Sequence, residues 1–288
     1  MSAAQTRTLR AADGESLAIR EWPATPASRP SAVVHITHGL GEHAGRYAHV
    51  AQRLNALGFA VRAHDHFGHG QSSGARGGLP TDLRLLDDLA LAIDDARSAF
   101  PGIPLVLLGH SMGGLVAASF VARGVRPVDA LVLSSPALSP TLSAAQKGLI
   151  AVLSRVAPGL RVGNGLNASD LSHDPAVAPA YKGDPLNHDR IGARLARFLA
   201  DEGQQVMARA PAWPVPTLLL YAGADRLVRP EGSRAFAAAS APSGQVQVRA
   251  FEAHFHELFN ELDAKPVFDA LEQWLGERFG GQARRDAA

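Results

Sequence analysis

The sequence predicts an α/β protein, a mostly parallel sheet flanked by helices and interrupted by an inserted helical cap, and three observations carry that expectation. Short, apolar runs rich in β-branched residues alternate with segments of helical character, as strands of a parallel sheet buried on both faces do. The alternation breaks between Ser135 and Pro214, where a plain crossover would need only about a dozen residues. An insertion is implied. Finally, a Gly-x-Ser-x-Gly run stands directly between an apolar strand and a helix-forming stretch, the setting of a sharp strand-to-helix turn.

Taken in order, Thr6 to Arg10 and Ser16 to Trp22 read as strands joined through Asp13-Gly14, a hairpin signal. The proline-rich connection PATPASRPS follows. The core then alternates: strand Ala32 to Thr37, helix near Arg46 to Leu57, strand Ala60 to Asp65, helix near Asp82 to Ala99, strand Leu105 to Leu108, helix Met112 to Arg123, strand Ala130 to Ser134. Beyond the insertion come strands at Thr217 to Tyr221 and Gln245 to Phe251 and a closing helix near Val267 to Phe279, with the tail GGQARRDAA expected to fray. The expected division is a core of residues 1–136 and 210–288 and a cap of residues 137–209. Inside the cap, Leu149, Ile150, Leu153 and Val156 recur at helical spacing. That stripe either packs the cap onto the core or offers apolar surface to a lipid at the cavity entrance.

Composition excludes several chemistries. With 46% hydrophobic residues the chain has enough apolar surface for a substantial core. It contains no cysteine, so covalent chemistry falls to Ser, Thr, Lys, Asp or His. The 28 basic residues nearly balance 27 acidic ones, and only Lys147, Lys182 and Lys265 are lysines. No basic run marks a nucleic-acid partner. No stretch is long and apolar enough for a membrane span, and MSAAQTRTLRAADGES lacks the apolar region of a signal peptide, so a cytoplasmic location is expected. Oligomeric state is not encoded in any of these features.

The chemistry is announced by Gly109-His110-Ser111-Met112-Gly113. A serine on so sharp a turn adopts a strained backbone, and bare neighbours at Gly109 and Gly113 avoid clashes. An elbow serine requires an acid and then a histidine later in the chain. Asp225 follows the late strand TLLLY, and downstream of it only His254 and His256 remain. Order alone narrows the base to those two. The oxyanion hole is expected from the N–H of Met112 and the N–H of Leu40, which lies in the glycine-rich loop after AVVHIT.

HGLGEHAGRY (38–47), DHFGHGQSSG (65–74), GHSMGG (109–114), AGADRLV (222–228) and HFHELFNE (254–261) together resemble the monoacylglycerol lipases of the α/β-hydrolase superfamily, as does DPLNH (184–188) in the cap. The resemblance spans roughly Leu17 to Leu275. It implies an α/β-hydrolase fold and a serine hydrolase with Ser111 as nucleophile, Asp225 as acid and His256 as base. It also implies a cap that admits one acyl chain, and it puts Arg46 and His110 near the polar head of the substrate. The expected reaction is hydrolysis of a small-molecule lipid ester through an acyl-enzyme, with no cofactor and with transient contact between cap and membrane surface. A lysophospholipase or a general carboxylesterase on the same fold, and more remotely a non-catalytic binding protein, are the alternatives. One motif points elsewhere: HDHFGH, with Asp65, His66 and His69, is reminiscent of a metallo-hydrolase signature. Gly68 occupies the position of that signature's aspartate, so a tight turn is expected and no metal site.

Overall fold

The computed structural model describes residues 4–23, 29–139 and 143–280. Residues 281–288 of the tail expected to fray and most of the proline-rich connection lie outside them. An antiparallel hairpin, β1 (Gln5–Arg10) and β2 (Ser16–Trp22), opens the chain around Gly14, whose φ of 85° suits a glycine turn. There follow β3 (Val33–Thr37), α1 (Ala48–Ala56), β4 (Ala60–His64), α2 (Arg84–Ala99), β5 (Leu105–His110), α3 (Met112–Ala122) and β6 (Ala130–Ser134). The insertion holds α4 (Ala144–Val156), β7 (Arg161–Gly163), α5 (Val177–Gly183), β8 (Arg190–Gly192) and α6 (Ala193–Arg209). The chain closes with β9 (Thr217–Ala222), α7 (Pro230–Ser240), β10 (Val246–Phe251) and α8 (Lys265–Phe279).

The main sheet runs β1-β2-β4-β3-β5-β6-β9-β10, antiparallel at the β1–β2 and β2–β4 edges and parallel elsewhere. Side chains alternate between its faces. Leu105 and Leu107 of β5 join the cluster under α2, α3, α6 and α7, whereas Val106 and Leu108 join the opposite cluster under α1 and α8. Burial on both faces is why these strands read as continuous apolar runs.

Three features differ from expectation. The helix expected near Arg46 starts as a 3-10 turn, Ala44–Tyr47, before α1. Helix α7 was not foreseen; Pro230 sits at its first position, where a missing N–H costs nothing. In the insertion, β7 and β8 form a small antiparallel pair whose three-residue strands are too short to show a period. The last part of the insertion packs as core. Helix α6 lies on α3 with Leu195, Phe198 and Val206 buried, and a Cβ at Gly203 would meet the Leu138 carbonyl at 2.1 Å.

Candidate active site

Ser111 stands between β5 and α3 at φ 53° and ψ −120°, one of two described non-glycine residues at positive φ. Such a conformation costs on the order of 1–3 kcal/mol and persists where the surroundings over-determine it. Here they do. Ser111 N–H donates to Ser134 O (3.0 Å), and its carbonyl accepts from Leu115 (3.1 Å) and Ala137 (3.0 Å). A Cβ at Gly109 would lie 2.5 Å from Gly113 O, and one at Gly113 would lie 2.1 Å from Thr37 O. The two bare positions let the first turn of α3 press against the end of β3, where Thr37 Oγ1 also donates to Gly113 O (2.9 Å). That approach brings the loop after β3 to the serine.

Asp225 follows β9 in the loop before α7, with Oδ1 accepting the Leu227 and Val228 amides at 2.9 Å each. Its Oδ2 lies 2.6 Å from His256 Nδ1. Both side chains are buried. Burial alone would lower the His256 pKa, but the adjacent Asp225 carboxylate, with Glu257 and Glu42 behind it, overrides that and holds it above the ordinary imidazole value. His254 turns away, its Nε2 donating to Asp263 O (2.9 Å). The His110 ring stacks obliquely 4.7 Å from that of His256, and burial holds it neutral with a pKa of about 4.

The Leu40 amide donates to no described group, and Met112 opens α3, where the N–H groups have no intrahelical acceptor. Both residues line a cavity of 390 Å³ together with Ser111, His110 and His256, a size typical of small-molecule sites. Ala168, Leu171, Ile191 and Leu199 make much of the wall apolar, and Glu42, Tyr181 and Glu257 make one end polar.

The polar end corrects one expectation. Arg46 does not line the cavity; it stands behind it, with Nη1 donating to Glu42 Oε2 (2.6 Å) and to Glu257 Oε1 (2.6 Å), and Nη2 to Glu257 Oε2 (2.8 Å). A guanidinium clamped between two buried carboxylates has little left to offer a substrate. Glu42 in turn accepts the Gly39 amide (2.6 Å) and the Tyr47 hydroxyl (2.7 Å), and the guanidinium holds the Glu42 pKa well below the usual carboxylate range against its desolvation. Groups of the insertion grip the same loop: Tyr181 Oη and the His188 amide donate to Gly41 O at 3.0 and 2.9 Å.

The apolar stripe is a second correction. None of Leu149, Ile150, Leu153 and Val156 lines the cavity. Helix α4 lies along α6 with Ser154 buried, which leaves Leu149 58% and Val156 73% exposed. Sequence reasoning missed Glu42, Glu257 and Tyr181 as cavity residues. The first two lie inside motifs quoted above; Glu42 stands four positions before Arg46, a spacing that could have suggested their pairing, but nothing in the sequence pairs Glu257 with Arg46. Asp65, His66 and His69 serve the turn after β4: Asp65 accepts the Ala44 and Gln71 amides at 2.8 Å each, and His69 Nδ1 donates to Phe67 O (3.0 Å). Among the described residues no group of three such side chains is arranged to hold a metal ion.

A serine elbow on a mostly parallel sheet, with an insertion after the sixth strand and an Asp–His pair in late loops, defines an α/β-hydrolase. Within that class the chain belongs to the family described as serine aminopeptidase, S33, which matches residues 28–263. It is 40% identical over 258 residues to a monoacylglycerol lipase from Mycolicibacterium smegmatis, covering 87% of this chain and 90% of that one. It is 34% identical over 274 residues to human monoglyceride lipase, covering 93% and 89%. A solved monoacylglycerol lipase from Paleococcus ferrophilus superposes with a TM-score of 0.80 at 33% identity, covering 90% of this chain and 98% of that one.

Proposed function

We propose that this protein hydrolyses the ester bond of monoacylglycerols through an acyl-enzyme, with Ser111 as nucleophile, His256 as base and Asp225 as its orienting acid. The observation that carries the reading is the 2.6 Å Asp225–His256 pair, whose histidine stands in the wall of a largely apolar cavity that also holds the elbow serine; the names of the relatives agree with it. His256 takes the Ser111 proton as Oγ attacks the ester carbonyl, and the Leu40 and Met112 amides receive the oxyanion. The glycerol oxygen leaves with the proton from His256. Water then attacks the acyl-serine with His256 again as base, which returns the proton to Ser111 and frees the fatty acid.

Residues 137–209 act as the cap. Glu42 and Glu257 line the polar end of the cavity, with Arg46 already paired to both behind it and Arg229 the one guanidinium residue among the described lining, a balance that suits a neutral glycerol head better than a phosphate. On the outer surface, Leu149, Val152 and Val156 of α4 are exposed beside Lys147 and Arg155, a pattern fitted to transient contact with a lipid surface by a cytoplasmic enzyme. No described helix is long and apolar enough to cross a membrane. A hydrolysis panel of mono-, di- and triacylglycerols, lysophospholipids and short esters, run beside fluorophosphonate labelling, tests the reading. Labelling of Ser111 with monoacylglycerols cleaved best is the expected result, and a protein that neither labels nor cleaves sinks it.

A further inference from the structure

The chemistry above leaves unused a row of buried histidines that runs from the sheet into the loop after β3. His38 begins that loop, and its ring is fixed on both sides. The His66 amide donates to His38 Nε2 (3.0 Å), so that nitrogen carries a lone pair and the proton of the neutral ring is on Nδ1. Nδ1–H therefore donates to Gly39 O (2.8 Å). That carbonyl belongs to the peptide group whose other end is the Leu40 N–H.

The same accounting runs back into the sheet. His66 Nε2 faces His38 O at 3.2 Å and must donate, which leaves His66 Nδ1 to accept from His64 Nε2–H at 3.2 Å. His64 Nδ1 then accepts from His35 Nε2–H at 2.9 Å. The row ends at His35 Nδ1, an acceptor without a partner, paired in register with Arg62, whose Nε and Nη1 donors also lack partners among the described residues. All four rings are fully buried. Burial lowers each pKa, to about 3 for His35 and about 4 for His38, so each ring carries one proton at neutral pH; from His66 to His35 each tautomer dictates the next, and the His66 amide dictates that of His38.

We propose that His38 is a positioning residue of the oxyanion hole: its Nδ1–H polarises and aims the Gly39–Leu40 peptide, the His66 amide fixes the tautomer that can do so, and the His35–His64–His66 row, ending on His38 O, anchors the backbone that carries it. A hydrogen bond to an amide oxygen draws electron density across the peptide group and strengthens its N–H as a donor. Reversing any one ring would set two N–H groups or two lone pairs face to face in a buried site, which is costly. The inference deepens the proposed function and rests on Leu40 being an oxyanion donor.

The test compares wild type with His38→Leu, which removes the donor, and His38→Asn, whose side-chain amide keeps an N–H near the Nδ1 position. The substrate is soluble p-nitrophenyl butyrate, so that preference for lipid plays no part. The inhibitors are a trifluoromethyl ketone, which adds Ser111 to form an oxyanion, and the matching methyl ketone, which stays planar. His38→Leu is expected to lower kcat about 10- to 100-fold, less than the roughly 10²–10³ of losing a donor outright, with KM within about twofold. Trifluoromethyl ketone affinity should fall in step with kcat and methyl ketone affinity should hold, while His38→Asn recovers most of both losses. An unchanged kcat, or equal losses for both ketones, overturns the inference. Imidazole ¹⁵N NMR of the wild-type protein tests it without any substitution: the proton is expected on Nδ1 of His38 and on Nε2 of His64 and His66, and Nε2–H at His38 overturns it. Wild type that neither labels with fluorophosphonate nor cleaves the ester overturns the proposed function and this inference together. An active wild type beside an equally active His38→Leu overturns this inference alone.

Discussion

Mild acid should unfold this protein, because His35, His38, His64, His66, His69 and His110 are fully buried and held neutral by desolvation, with values of about 3 for His35 and about 4 for His38 and His110. In the unfolded chain each titrates near its ordinary value of about 6.5. Folded pKa values below the unfolded one mean that the unfolded state binds more protons as pH falls from 6.5 towards 4, so stability is full above that window and declines through it. At pH 5.5 each histidine costs about 1.4 kcal/mol relative to pH 8, and six together cost on the order of 8 kcal/mol. Total stability of a typical domain is roughly 5–15 kcal/mol. His256 offsets only a small part of this loss: its raised pKa adds stability as pH falls through the folded value, and that contribution is complete below 6.5 and grows no further as the six others decline. Urea unfolding followed by tryptophan fluorescence at half-unit steps from pH 8 to pH 5 measures the slope. A free energy that stays level from pH 7 to pH 5.5 would refute the claim that these rings are neutral in the folded state.

Three further outcomes are expected. Ser111→Ala or His256→Ala should each cost on the order of a millionfold in kcat and Asp225→Asn about 10⁴-fold, whereas His254→Ala should leave turnover near wild type; steady-state assays on a soluble ester decide, and loss at His254 with retention at His256 would reverse the assignment of the base. Glu257→Gln removes a negative charge that helps keep the His256 pKa up, so the acid limb of the kcat/KM profile should move to lower pH, and a limb that stays in place or rises counts against that charge acting on His256. Leu149→Asp with Val156→Asp should weaken sedimentation with phospholipid vesicles by at least about tenfold while p-nitrophenyl butyrate is cleaved within about twofold of wild type, since both side chains are exposed and absent from the cavity wall; equal vesicle binding removes α4 from any membrane role.

What the sequence determined by itself is what a short stretch of backbone decides. Alternating apolar runs implied a sheet buried on both faces, and Gly109 and Gly113 around Ser111 implied an elbow; the close approach that keeps Gly109 bare is to Gly113 and Gly114 nearby in the chain, whereas Gly113 is bare against Thr37 of β3, a contact that only the fold supplies. The order of Ser111, Asp225 and two late histidines reduced the base to His254 or His256 without choosing between them from spacing, since both follow the same strand. Tertiary structure supplies the measure that separates them: His256 lies against Asp225 and His254 against Asp263. Long-range pairing likewise decided that Arg46 stands behind the cavity: Glu42 lies at the local i,i+4 spacing, but the second clamp, Glu257, is 211 positions away and no local pattern joins it. Helix α4 kept its period but not its expected face, for the direction in which a stripe points depends on how the helix lies on α6 and not on the spacing of its leucines. The histidines within and just after β3 and β4 are scattered in sequence and become one hydrogen-bonded row only because β3 and β4 lie side by side in register, His35 opposite Arg62 and Thr37 opposite His64.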